Sequence, residues 1–459
     1  MANSRRLSRR LLLALVAICL AHLYLKGLQV HSATLTTFLP LPPDALSRPW
    51  QLLLPLRVSN APGGDAWRWS TTGLVPVSAL DLLVGAKVSY LCWSLANVVS
   101  VFVCSWVAFR SAVFTVTATI CMAFGSQFDY ALVNSGCASL LPMSIWLQLN
   151  LLSLVLLWRH PARSSVRILY ASSLVLLALA FETWLDYLAA LTTALAWAFV
   201  VHRSRLHAAH LAGLRFVAIA TSAITLSYLV LKVALGGAQE HLRPGQEAEL
   251  VVGYFRTLPL GKAAVITLED LLSNLVTYLY VSLTNYLPPF LLASNSLIDL
   301  GRDTIIAQQF GYHAEYQKLT YAHHLFLWYF QAGAVAALFA QFLRRAFRRA
   351  HGSYPSVDQV VPLFCSLMVL FGASTHMLIK YRPYLSVPLL SYKCFIGVMG
   401  TTLLLSWVLS KLPERFGVRR GNTLVAAGWL GIVAAGLLRP AWLGELAKHV
   451  GLGSIPPPW

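Results

Sequence analysis

Glu182 and Asp186 stand four residues apart in the stretch FETWLDY, inside one of the most apolar parts of the chain. Carboxylates at membrane depth are expensive and need a compensating reason to be there. A second constellation lies in THMLIKYRPYLSVPLLSYK, Thr375 to Lys393. There Lys380 and Arg382 are the outer-side cations nearest the bilayer, with His376 below them and Lys393 further along, and Pro383 and Pro388 fixing the bend. Such a cluster suits a lipid phosphate, because Arg can fork onto two oxygens while Lys supplies a point charge. It also fits cations snorkelling at helix ends. A third group is NAPGGDAWRWSTTG, with Asp65, Trp67, Arg68 and Trp69. Aromatic faces beside a carboxylate and an arginine suit a sugar; a belt of interfacial tryptophans is the alternative. Asp44 and Asp81 are the other acids of that segment, and SQFDY places Asp129 on the same side.

The surrounding chain decides what can hold these groups. It has 459 residues, 57% of them hydrophobic and only 11% charged, against about 25% charged in an ordinary soluble domain. These values imply an all-α polytopic integral membrane protein. Apolar runs predict helices near 11–29, 82–108, 111–125, 138–158, 168–181, 187–201, 216–235, 323–343, 360–379, 387–410 and 421–438. That makes about eleven crossings in a single transmembrane domain, 1–459. Two large outer loops interrupt it, at 30–80 and 236–322. The second carries ITLEDLLSNLVTYLYVSLTNYLPPFLL, read as amphipathic or partly re-entrant; a pair of crossings there would raise the count to thirteen. The N-terminal run resembles a signal sequence without a small-x-small cleavage site and is read as a retained first helix.

Charge placement orients these helices. With the N-terminus inside, the short inner segments collect Arg5, Arg6, Arg9 and Arg10; Arg110; Arg159, Arg163 and Arg167; Arg203, Arg205 and Arg215; Arg344, Arg345, Arg348 and Arg349; and Lys411, Arg415, Arg419 and Arg420. Among the acids only Asp358 and Glu414 fall on that side. The formal net charge of +18 therefore reflects topology, and a nucleic-acid partner is not expected. The seven cysteines mostly lie in apolar runs without a CxxC pair, which argues against a zinc site or a disulfide framework.

The same topology sharpens the role of FETWLDY. The chain from 168 to 201 must leave the inner side and return to it. Allowing a four-residue turn leaves about 15 residues per helix, or about 22 Å at 1.5 Å per residue, against a hydrocarbon core of about 30 Å. The turn is then drawn below the outer surface, where polar backbone is tolerated only beside protein or a water-filled cavity. Glu182 and Asp186 accordingly either face a wet cavity open to the outer side, or cap the turn and pair with a neighbouring cation. No phosphate-binding loop, GxGxxG or HExxH motif occurs, so no nucleotide or cofactor site is evident; a divalent metal stays open.

The layout resembles the GT-C glycosyltransferases, polytopic enzymes that move a sugar from a polyprenyl-phosphate donor on the outer or lumenal face. The matching features are a long first outer loop, paired short helices, and KYRPYLSVP, which looks like the family's basic-aromatic-proline segment. FETWLDYLAALTT also looks like a segment of bacterial proteins assigned to that family. The paired acidic motif usual early in the family's first loop is replaced here by the single acids Asp44, Asp65 and Asp81.

The resemblance implies transfer from a polyprenyl-phosphate-linked donor to a glycan, lipid or protein acceptor, in contact with membrane lipid. Asp65 would be the base. Glu182, Asp186, Trp67, Trp69 and Asp129 would line the acceptor or sugar cavity, and Lys380, Arg382 and His376 would meet the lipid phosphate. It also implies a bacterial inner membrane, with the N-terminus cytoplasmic and the C-terminus on the outer side. A transporter or flippase of a lipid-linked saccharide would use the same groups without chemistry. A membrane acyltransferase using His376 or His324 is a third reading.

Overall fold

The computed structural model of the chain describes residues 17–23, 56–60, 64–68, 72–125, 138–180, 183–202, 206–236, 253–284, 333–345, 357–372 and 394–449, with residues 348, 374 and 377. Five described helices are long and apolar enough to cross a membrane: Lys87–Phe109, Leu140–Arg159, Trp184–Val201, Ala208–Leu231 and Phe395–Phe416. The protein is thus helical and membrane-embedded. Helices dominate because hydrocarbon offers no partner to backbone N–H and C=O groups, and a helix satisfies them within one segment.

The first expected outer loop contains a hairpin, β1 (Leu56–Asn60) with β2 (Gly64–Arg68), antiparallel and in register Leu56 to Arg68. It is followed by α1 (Leu74–Val84) and α2 (Ala86–Phe109). The sequence reads 82–108 as one helix. The structure breaks it at Gly85, whose φ of +80° belongs to the left-handed region that glycine enters without a Cβ penalty. The bundle continues with α3 (Ala112–Phe124), α4 (Leu140–Arg159), α5 (Ser164–Ala178), α6 (Trp184–His202) and α7 (Ala208–Gly236). The short α8 (Tyr254–Thr257) and the 25-residue amphipathic α9 (Leu260–Thr284) fall in the second expected loop. There the Tyr254 hydroxyl donates to Asp270 at 2.9 Å, and burial together with that carboxylate pushes the phenol up to about 12. Last come α10 (Val357–Phe371), α11 (Phe395–Phe416) and α12 (Val418–His449). Residues 17–23 and 333–345 are also helical.

Two helices are too short to span a full bilayer. At 1.5 Å per residue α3 is about 20 Å long and α5 about 22 Å, against about 30 Å of hydrocarbon. Every residue of α3 from Phe114 to Phe124 is buried. It packs among α2, α11 and α12, and Trp429 Nε1 of α12 donates to Thr117 Oγ1 at 2.6 Å. Burial inside protein is what lets so short an apolar helix sit at membrane depth.

One end of the bundle is basic. Arg159, at the end of α4, reaches the carbonyls of Val107 and Ala108 at the end of α2. Those are among the last helical carbonyls, which have no partner inside their own helix, and a cation there also complements the helix dipole. Arg167 donates through Nε and Nη2 to the Pro161 carbonyl at 3.1 and 2.9 Å and lies 5.4 Å from the Phe216 ring centroid. A Cβ on Gly213 of α7 would stand 3.1 Å from the Pro161 side chain. The end of α2, the α4–α5 link and the start of α7 therefore share one end, as the charge pattern requires.

Candidate functional site

At the opposite end α5 stops at Ala178, three residues before the hydropathy pattern ends it, and α6 starts at Trp184. Thr72, two residues before α1, closes on the end of α5. Its N–H donates to Leu179 O at 3.2 Å, its hydroxyl donates to Leu176 O, and its own carbonyl accepts from Trp146 Nε1 of α4 at 3.2 Å. The chain leaving the β1–β2 hairpin is thereby pinned to the FETWLDY turn. Beyond the turn, Trp184 is fully buried and meets Tyr228 of α7 edge-to-face at 5.2 Å between centroids.

Asp186 lies in the first turn of α6 with a side chain 0% exposed. Its Oδ1 accepts a hydrogen bond from the Ser374 hydroxyl at 2.9 Å, across 188 residues of sequence. Tyr278 of α9 lies within electrostatic range of it.

Close backbone packing brings Ser374 there. A Cβ on Gly372 would strike the backbone of Gly397 on α11, and one on Gly400 would stand 2.8 Å from the Cys365 carbonyl of α10. A Cβ on Gly397 would run into Ser282 Oγ of α9. Small residues at these three positions let α9, α10 and α11 approach through their backbones, the usual way that helices associate in a membrane. Just beyond, Met377 N–H donates to Ser374 O at 3.3 Å, and Asn274 Nδ2 of α9 donates to Met377 O at 3.0 Å. The chain is thus anchored three residues before Lys380.

Toward the bilayer interior a buried polar network continues from Tyr187. Its hydroxyl donates to Asn150 Oδ1 at 2.6 Å; Asn150 Nδ2 donates to Ser173 Oγ at 2.9 Å and to Tyr170 O at 3.1 Å. The Tyr170 hydroxyl shares a 2.6 Å hydrogen bond with Thr221. These contacts tie α6 to α4, α5 and α7 and fix the rotation of α6. That rotation presents Asp186 to Ser374.

Of the residues proposed from sequence, Asp65 lies in β2 opposite Ser59 and Trp67 opposite Arg57. Glu182, Trp69, Asp129, His376, Lys380 and Arg382 lie outside the described residues. Sequence reasoning did not single out Thr72, Ser374, Asn274, Asn150 or Tyr187. Thr72 and Tyr187 lie inside quoted motifs and Ser374 borders one, and proximity to the charged residues was the available signal. Among the described residues no group of three or more His, Cys, Asp or Glu is placed to hold a metal ion. No family model, curated protein or solved structure matches this chain.

Proposed function

We propose that the protein is a membrane glycosyltransferase of GT-C type. It would move a sugar from a polyprenyl-phosphate donor to an acceptor on the face away from the basic end. The observation that carries this reading is the Asp186–Ser374 hydrogen bond. It joins the acidic turn to the start of the segment holding Lys380 and Arg382, while Thr72 ties the first loop to the same turn. These two contacts support reading the acidic turn, the chain leading to Lys380 and Arg382, and the chain leaving the first loop as parts of one site.

The chemistry is a displacement at the anomeric carbon. The acceptor hydroxyl gives its proton to a carboxylate as its oxygen forms the new glycosidic bond. The bond to the lipid phosphate breaks, and that phosphate leaves with the electron pair. Asp65 would serve as base; Glu182, Asp186, Trp67, Trp69 and Asp129 would shape the sugar and acceptor cavity. Lys380, Arg382 and His376 would stabilise the departing phosphate. The full layout is eleven to thirteen crossings with two large outer loops, in a bacterial inner membrane, N-terminus cytoplasmic and C-terminus outside.

Reconstitution in liposomes with radiolabelled polyprenyl-phosphate sugars and candidate acceptors tests this. Label transferred to acceptor supports the enzyme. Label that crosses the bilayer without transfer supports a flippase and overturns it.

A further inference from the structure

At the basic end, α2, α4, α6, α7, α10 and α11 part around a cavity of about 180 Å³ whose wall is almost wholly carbon. Ala108, Leu157, Ala198, Val217, Val361 and Phe364 contribute to it. On α4 the lining runs from Trp158 inward to Gln148. That is about 15 Å at 1.5 Å per residue, half of a hydrocarbon core of about 30 Å, and so the depth of one leaflet. An apolar cavity of this size does not hold water well, and one of about 150 Å³ takes up apolar molecules.

The rim differs in kind. His210 lines the cavity 5.5 Å from the Trp158 ring centroid, and His207 follows 6.3 Å beyond it. Arg159 adjoins Trp158, and Arg163 in the next link is exposed. On α4, α5, α7 and the link between α4 and α5 the sequence contains no acid, and on α10 the single acid Asp358 follows lining residue Val357. A carbon-lined slot one leaflet deep under a cationic rim complements a lipid with an anionic head, since Arg forks onto phosphate oxygens.

We propose that this cavity binds one acyl chain of an anionic phospholipid from the leaflet at the basic end, with its phosphate on Arg163. The site is separate from the Asp186 neighbourhood at the other end, and does not depend on the transfer reaction.

The test uses the full chain purified in detergent and two lipids with identical chains, phosphatidylglycerol and phosphatidylcholine. Phosphatidylglycerol should raise the melting temperature by several degrees and phosphatidylcholine should not. Ala198→Phe, which fills the slot, should abolish that shift, and Arg163→Gln should weaken it. Native mass spectrometry of the unaltered protein in an equal mixture keeps the test decisive if Ala198→Phe fails to fold. One retained phosphatidylglycerol per chain supports the site. Equal shifts with both lipids, an undiminished shift in Ala198→Phe, or no preference in the mixture would overturn it.

Discussion

The hydroxyl of Ser374 donates to Asp186 Oδ1 at 2.9 Å, joining two segments 188 residues apart. The carboxylate is fully buried, so its partner matters more than it would at a surface. Removing the donor leaves part of a buried carboxylate unsatisfied, at about 1–3 kcal/mol. Ser374→Ala should therefore lower the melting temperature in detergent, and Ser374→Thr should restore most of it. Combining Ser374→Ala with Asp186→Ala, which removes the acceptor, should give a loss smaller than the sum of the two, because they share one interaction. Strict additivity in that cycle would deny the contact.

The glycines of α10, α11 and α12 give a graded series. Gly372→Ala drives a Cβ into Gly397 backbone, which cannot rotate away, and should destabilise by about 1–3 kcal/mol or more, as overpacking does. Gly431→Ala meets nothing within 4 Å on α12 and should be neutral or stabilising by up to about 1 kcal/mol. Thermal melts of the two variants rank them. Equal melting temperatures would contradict the close approach that delivers Ser374.

Long apolar helices were legible because hydropathy alone selects them. The stretch expected at 138–158 is α4 at Leu140–Arg159, and 111–125 is α3 at Ala112–Phe124. The break at Gly85 was not legible, because a lone glycine beside Lys87 does not interrupt the apolar run. The hairpin at 56–68 carried its own signal in the Pro-Gly-Gly of its turn, which marks a reversal between two short runs. The site was half legible. FETWLDY announces itself as charge in an apolar run, whereas Ser374 and Asn150 are ordinary polar residues. Their roles come from partners 188 and 37 residues away, a pairing no local pattern encodes.

Topology is open to direct chemical labelling. With Cys92, an exposed native thiol, replaced by Ser, Arg163→Cys and His207→Cys should react from the same side of sealed vesicles. Tyr384→Cys and cysteines placed at 60–70 should react from the other. Reaction of His207→Cys from the side that labels Tyr384→Cys would remove the basic end as a single face.

Arg382→Ala should insert normally and lose label transfer, since a phosphate deprived of a charged hydrogen bond loses about 1.5–3 kcal/mol per bond. Arg382→Lys should recover only part of the activity, because ammonium cannot fork onto two oxygens. Full transfer by Arg382→Ala would take the phosphate away from this residue.

The most direct measurement pairs transfer rate and melting temperature on Asp186→Asn. The amide keeps the shape and leaves an oxygen to accept from Ser374, while the charge is gone and its burial penalty relieved. If the carboxylate is there for ligand, transfer in liposomes falls at least about tenfold, about 1.4 kcal/mol of barrier, and the melting temperature holds or rises. Undiminished transfer with a lowered melting temperature would mean that Asp186 holds the turn, and would contradict its place in the sugar cavity.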